Sequence, residues 1–166
     1  KREQRTRFEA EHDLLTQLHN RRAGEQVLQE NLTQARYNAS QYAVLLLDLD
    51  KFKPINDNYV HDAGDVVLEG VAKRLRSTLR EDDLTVRWGG DEFLVALHYS
   101  GDIEAITSIA EKLVYALNEP FKLPDGNLCQ IGVSIGIAVY PEHGESVDAL
   151  LYKADNAMYD IKNAGR

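Results

Sequence analysis

The segment that most constrains the fold is YAVLLLDLD, residues 42–50, in which a six-residue apolar run ends in two acids. A short, continuous apolar run of this kind is typical of a strand buried at the centre of a sheet. It needs neighbouring strands on both edges and helices over its faces. The rest of the chain must therefore supply both.

Apolar residues at helical spacing predict helices over residues 22–38, 66–79, 103–117 and 148–162, the last with Leu151, Ala154, Met158 and Ile161 facing inward. Gly64 is expected to interrupt the second of these helices, so that Asn56 and Asp65 lie on separate pieces and Asp65 caps the later one. Charged residues 1–12 are read as the end of a helix that connects the domain to an upstream part, or as a solvated tail.

Strand-like runs flank Gly89-Gly90, which predicts a hairpin with a two-residue turn. Residues 130–140 alternate, and Gly132, Ser134, Gly136 and Ala138 share one face, so something should pack close to that backbone. The order of elements predicts an α/β (α+β) fold, with a mixed, mainly antiparallel sheet and helices on its faces.

The composition excludes several classes of protein. The 166 residues suit one domain, and the net charge of −8 argues against binding a nucleic-acid polymer, although a small anion remains possible. A single cysteine, Cys129, rules out an internal disulfide and suits a reducing compartment. No signal peptide or membrane-spanning run is visible, so we expect a cytoplasmic domain cut from a longer protein, whose parent is either soluble or membrane-anchored.

Two acidic pairs are the candidate centre of the chemistry. Asp48 and Asp50 share one face of the strand end, and Asp91 and Glu92 follow the glycines. Neighbours point to opposite faces, so only one of Asp91 and Glu92 is expected to join Asp48. Carboxylates that meet at strand ends suit Mg²⁺, but acids there also serve as turn and cap residues.

Two cations on the last helix complete the candidate site. Lys162 and Arg166 are four residues apart and are placed to bind a phosphate on one helix face. The alternative is that they only complement the negative end of the helix dipole.

The linked motifs HDLLTQLHNRR, LLLDLDKFKPIND, HDAGD, LREDDLTVRWGGDEF, VSIGIAVYPEHG and KADNAMYDIKNAGR resemble the GGDEF domain family of diguanylate cyclases. The resemblance covers residues 13–166. It implies a five-stranded sheet surrounded by helices, like that of nucleotide cyclases. It also implies condensation of two GTP molecules into cyclic di-GMP, with loss of two pyrophosphates, by a homodimer that depends on Mg²⁺ (or Mn²⁺) and an upstream sensor.

The resemblance also implies roles for individual residues. Metal would be held by the carboxylates of Asp48 and Asp91 and the backbone carbonyl of Leu49, with Asp91 as the base for the 3′-hydroxyl and Glu92 assisting. The guanine would be bound by Asn56 and Asp65 beside His61, and the turn of Gly89 and Gly90 would lie against the nucleotide. Phosphates would be held by the backbone of Phe52 and Lys53 and the side chains of Lys162 and Arg166.

A second site is implied by Arg80-Glu81-Asp82-Asp83, which is similar to the inhibitory RxxD motif of the family. Arg80 and Asp83 would bind the product there, because arginine can grip guanine in a bidentate manner. The alternative is a charged helix end leading into a turn. The family often adds an arginine from the next helix, where this chain offers only Lys112.

Three positions depart from the family pattern. Val60 and Gln17 stand where the family usually has glycine, and His19 stands where it has proline. Val60 puts the affinity for GTP in question if a positive φ is needed there, and the other two affect the connection to the upstream segment. Besides an active cyclase, the sequence thus leaves open a non-catalytic domain that binds GTP or cyclic di-GMP, and a purely structural dimerisation domain.

Overall fold

The computed structural model describes residues 2–58 and 62–164, so the expectations for Val60, His61 and Arg166 lie outside the described residues. Six helices and six strands are described: α1 (Arg2–Glu11), α2 (Arg21–Tyr37), β1 (Gln41–Asp50), α3 (Phe52–Asn58), α4 (Ala63–Thr78), β2 (Leu84–Arg87), β3 (Glu92–Tyr99), α5 (Glu104–Asn118), β4 (Phe121–Lys122), β5 (Leu128–Cys129), β6 (Gly132–Tyr140) and α6 (Val147–Ala164).

The main sheet is antiparallel throughout, in the order β2-β3-β1-β6, and β1 is an inner strand as its apolar run predicts. Side chains from Leu45 and Leu47 belong to a core beneath α4 and α5, whereas Val44 and Leu46 belong to a second core beneath α2 and α6. Both faces of β1 are covered by helices, which explains why its sequence does not alternate.

The main sheet has four strands, not the five that the family resemblance implied. Residues 121–129 form a separate two-stranded sheet, because Phe121 pairs with Cys129 and Lys122 with Leu128. A turn with Gly126 at φ +88° closes this small hairpin on itself.

The face of small residues on β6 is packed directly against α6, as the alternation predicts. A Cβ atom added to Gly136 would lie 2.0 Å from the carbonyl oxygen of Ala154, far inside van der Waals contact. The helix buries Leu150, Ala154 and Met158. Ile161 was expected to face inward but is 50% exposed, because the buried stripe runs at a spacing of four residues from Leu150.

The break between α3 and α4 differs from the prediction. Gly64 does not interrupt a helix: it is buried inside α4, and the chain turns earlier, at Asp62, which has a left-handed φ of 71°. Asp65 is therefore not the cap but an acid in the first turn of α4, where a negative charge suits the helix dipole. Asn56 and Asp65 do lie on separate helices, as expected.

Candidate active site

Carboxylates from two adjacent strands meet at the end of β1 on the side of α6. Asp48 lies opposite Glu92 of β3 on one edge and opposite Ser134 of β6 on the other. Asp50 lies opposite Gly132 and points to the same face as Asp48, as the two-residue spacing predicts. The sheet thus brings Glu92 beside two acids that lie more than forty residues earlier in the sequence.

A cation from α6 lies among these acids. The Lys162 Nζ is 2.8 Å from Asp48 Oδ2 and 3.2 Å from Asp50 Oδ1. The Ser134 Oγ donates to both Asp50 oxygens, at 3.0 and 3.1 Å. Burial lowers the pKa of Lys162, but its bonds to Asp48 and Asp50 outweigh that effect and raise the pKa above the usual lysine value.

The acids remain electrostatically unfavourable despite this cation. Burial raises the pKa of Asp48, Lys162 opposes the rise, and Asp91 and Asp50 add to it. Burial also raises the pKa of Glu92, and Asp48 and Asp91 raise it further. Glu92, opposite Asp48 in the sheet register, is the acid of the pair that lies on the Asp48 face. The hairpin loop brings Asp91 back beside β1, where its carbonyl accepts from the Leu49 N–H at 3.1 Å and its charge reaches both Asp48 and Glu92.

The glycine turn is wider than predicted. Strands β2 and β3 leave four loop residues, 88–91, and the N–H groups of Trp88 and Gly89 both donate to the Glu92 carbonyl, at 2.8 and 3.1 Å. A Cβ on Gly89 would lie 2.9 Å from Glu92 Oε1, so a side chain there would displace the end of the Glu92 carboxylate. A Cβ on Gly90 would meet no atom within 4 Å, so Gly90 faces open space.

The turn is also held from behind by Arg87. Its Nη2 donates to the Gly90 carbonyl at 2.9 Å, and its Nη1 lies 3.2 Å from Asp13. Asp13 accepts further bonds from the Thr16 N–H and hydroxyl, at 2.9 and 2.8 Å. The segment between α1 and α2 is thus joined to the glycine turn by one arginine, which the sequence did not indicate.

Other predicted site residues are placed as follows. The side chains of Leu49 and Phe52 are 2% and 8% exposed, so only their backbone can reach a ligand. Lys53 and Asp65 are exposed, on α3 and α4 respectively. Asn56 belongs to α3, but its side chain, like His61 and Arg166, lies outside what the structure describes.

The two residues of the RxxD motif meet at a separate cavity. Arg80 Nη2 is 3.3 Å from Asp83 Oδ1 and donates to the His98 carbonyl at 3.2 Å. The Arg80 N–H donates to Asp83 Oδ2 at 2.9 Å. The cavity beside them measures about 400 Å³.

Sequence reasoning missed three side chains around the acids. Ser134 was noted only for its small size, yet its hydroxyl binds Asp50. Asp155 of α6 raises the pKa of Glu92 and Arg21 lowers it. Arg21 also lies over the Trp88 ring, with its guanidinium carbon 4.4 Å from the ring centroid. The positions of Arg21 and Asp155 depend on how α2 and α6 pack, and that of Ser134 on the pairing of β6 with β1, none of which spacing along the chain reveals.

Comparison with known proteins identifies the family to which this chain belongs. The sequence model of the diguanylate cyclase GGDEF domain matches residues 10–166. The chain belongs to the GGDEF domain family. The curated relative TpbB, a diguanylate cyclase of Pseudomonas aeruginosa, is 44% identical over 158 residues, which is 95% of this chain and 36% of TpbB.

A second relative is named for a different activity. The cyclic di-GMP phosphodiesterase NbdA of Pseudomonas aeruginosa is 40% identical over 157 residues, 95% of this chain and 20% of NbdA. The chain therefore spans about a third or less of the length of these two curated relatives.

Solved structures agree with the fold. The TpbB GGDEF domain superimposes with a TM-score of 0.89 at 44% identity, covering 93% of this chain and 90% of that one. The coiled coil and GGDEF domain of DgcB from Caulobacter crescentus, in complex with c-di-GMP, gives a TM-score of 0.89 at 27% identity and covers 99% of this chain and 87% of that one. Within the described residues, no helix is both long and apolar enough to cross a bilayer.

Proposed function

We propose that this chain is a diguanylate cyclase domain, which condenses two GTP molecules into cyclic di-GMP with release of two pyrophosphates. The observation that carries the proposal is the meeting of Asp48, Asp91 and Glu92 beside the open space at Gly90, in a member of the GGDEF family. Two chains, each holding one GTP, would face each other so that each 3′-hydroxyl meets the α-phosphate of the other nucleotide.

The donor groups fit Mg²⁺. Within residues 2–58 and 62–164, no three Asp, Glu, His or Cys side chains form a closed ion cage. Mg²⁺ seldom uses such a cage: it takes one or two carboxylates and completes its shell with water and substrate phosphates. Asp48 and Asp91, with the Leu49 carbonyl, would hold the ion, and Mn²⁺ suits the same ligands. The bound ion would neutralise charge that develops on the transferring phosphate.

The remaining residues would bind and orient the nucleotide. Asp91 would accept the 3′-hydroxyl proton, with Glu92 beside it. Gly89 and Gly90 would lie against the nucleotide. The guanine would lie near Asn56, His61 and Asp65.

Lys162 has a particular part in this proposal. Its ammonium group now lies on Asp48 and Asp50. With nucleotide bound, Lys162 and Arg166 would hold the terminal phosphates, together with the backbone N–H groups of Phe52 and Lys53. The lysine would then exchange a carboxylate partner for a phosphate partner.

Turnover tests the proposal directly. The purified chain, at high concentration or fused to a dimerising coiled coil, is incubated with GTP and Mg²⁺, and the nucleotides are separated by chromatography. We expect cyclic di-GMP from the wild type and none from Asp91→Ala. Absence of product from the forced dimer would overturn the catalytic assignment.

A second candidate is a non-catalytic domain that binds GTP and regulates a neighbouring domain. The observation that favours it is the 40% identity to NbdA, which is named a cyclic di-GMP phosphodiesterase and not a cyclase. Saturable GTP binding by the forced dimer without turnover would support this candidate. Turnover would exclude it.

We also propose that the cavity at Arg80 and Asp83 binds the product and inhibits the enzyme. The ion pair of these residues beside an open cavity supports this, as does the DgcB complex with c-di-GMP. Product added to the assay should slow turnover by the wild type and not by Arg80→Ala.

A further inference from the structure

A charged residue that lies outside the RxxD motif also lines the cavity beside Arg80 and Asp83. Arg76, in the last turn of α4, lines this cavity together with Leu79, Arg80, Glu81, Asp83 and Thr85. Lys112, the cation that the sequence offered from α5, is exposed and does not line the cavity. The second cation of the cavity thus comes from the helix before the motif, not from the helix after it.

The two arginines differ in how their charge is matched. Arg80 is paired with Asp83, whose side chain is only 5% exposed, so its orientation is fixed by an internal acid. Arg76 Nη1 donates to the neutral Thr16 carbonyl at 3.0 Å. Among the described residues, no carboxylate pairs with its guanidinium. Arg76 therefore contributes a positive charge that the protein itself does not neutralise.

We propose that Arg76 binds a phosphate of the cyclic dinucleotide in this cavity. The inference rests on the proposed product site and adds to it a residue and a ligand group. A cyclic dinucleotide carries two phosphate charges, and a guanidinium with unused donors suits a phosphate oxygen pair. Arg80, held by Asp83, remains directed to a guanine edge.

The hydrogen bond to Thr16 orients the Arg76 side chain before a ligand binds. One donor of the guanidinium is held at a fixed carbonyl, which restricts the side chain before any ligand arrives and lowers the entropy lost on binding. Thr16 is itself 3% exposed and bound to Asp13, so this support is rigid.

Calorimetric titration of the purified chain with cyclic di-GMP, in the absence of GTP, tests the inference. Arg76→Gln removes the charge but leaves a polar side chain at this position. We expect it to weaken binding roughly 10–100-fold, the loss typical of one charge-assisted hydrogen bond. Arg76→Lys should recover part of the affinity, and Lys112→Gln, the matched control, should bind as the wild type does.

The salt dependence separates a ligand contact from a structural role. If Arg76 contacts phosphate, Arg76→Gln should reduce the slope of log Kd against log salt, whereas a loosened cavity would weaken binding with an unchanged slope. Wild-type affinity in Arg76→Gln, an unchanged salt slope, or a loss in Lys112→Gln instead would each overturn the inference. If the wild type does not bind at all, the product site fails with it, while the turnover assay with GTP judges the cyclase separately.

Discussion

Two partly buried carboxylates, Asp13 and Glu92, lie near the glycine turn. Their environments shift their pKa values in opposite directions. For Asp13, burial opposes ionisation, but bonds from Thr16 and the charge of Arg87 lower the pKa. For Glu92, burial raises the pKa and three neighbouring carboxylates raise it further, with only Arg21 opposing.

The difference distinguishes an acid that holds a structural turn together from the acids of the candidate active site. The turn around Asp13 satisfies its charge with internal donors, which is what a rigid structural joint requires. The acids around Asp48 and Glu92 are left with more negative charge than Lys162 neutralises. A site that leaves such charge unmatched is less stable on its own and is suited to bind a cation with its ligand.

The largest expected effect comes from removing a carboxylate on the functional side. Asp48→Asn should lower turnover by about 10²–10³-fold, because one ligand for the metal is lost at the reacting phosphate. Its melting temperature should fall less than that of Asp13→Ala. The control is Glu111→Gln, an exposed acid of α5, which should retain full turnover. Unchanged turnover in Asp48→Asn would remove Asp48 from the site.

On the structural side, Asp13→Ala should lower the free energy of unfolding by about 1–3 kcal/mol, because Arg87 and Thr16 lose their acceptor. Chemical denaturation at pH 7 measures this loss. The folded pKa of Asp13 is lowered, so its stabilisation is present above the unfolded pKa of about 3.9 and is lost as the pH falls through the folded value. The difference between wild type and variant should therefore shrink in acid.

At neutral pH, Glu92→Gln should stabilise the protein, whereas Asp13→Ala destabilises it. The folded pKa of Glu92 is raised, so the wild type is favoured below the unfolded pKa of about 4.3 and loses stability as the pH rises through the folded value. At pH 7 the variant should melt higher by no more than about 2–4 °C, since solvent screens this carboxyl in part. Thermal melts between pH 4 and 8 check this, and a variant that melts lower at pH 7 would contradict the comparison.

The smallest expected effect concerns Gln17, which precedes Leu18 at the Asp13 turn. Gln17 has a left-handed φ of 63°, where the family usually has glycine. Gln17→Gly should raise the free energy of unfolding by about 0.5–1 kcal/mol, because the relief of strain exceeds the added chain entropy. Gln17→Asn serves as the comparison, since asparagine tolerates this conformation better than glutamine, and should fall in between. A glycine variant less stable than the wild type would show that Gln17 makes compensating contacts.

The sequence predicted what depends on local pattern. The apolar run of β1, the helices and the shared face of Asp48 and Asp50 follow from periodicity, and the close approach at β6 follows from its small residues. The width of the glycine turn could not be predicted, because a Gly-Gly pair does not specify which backbone N–H groups bond the Glu92 carbonyl.

Contacts between residues that are distant in the sequence could not be predicted either. Lys162 lies on two acids, Arg87 bonds Asp13, and Arg76 bonds the Thr16 carbonyl, and each of these contacts joins elements distant in the chain. Spacing along the sequence carries no information about such contacts. The fifth strand was implied by resemblance alone, and local pairing of residues 121–129 replaced it.

The contact of α6 with Gly136 has a consequence for the charge balance of the site. Because the helix backbone rests directly on the strand, the distance between α6 and β1 is set by the absence of a single side chain. Lys162 is carried on that helix, so the volume of an uncharged interior residue determines how closely an ammonium group approaches two carboxylates. Even one added methyl group at position 136 would therefore change the electrostatics of the candidate site, at a place where no charge is altered.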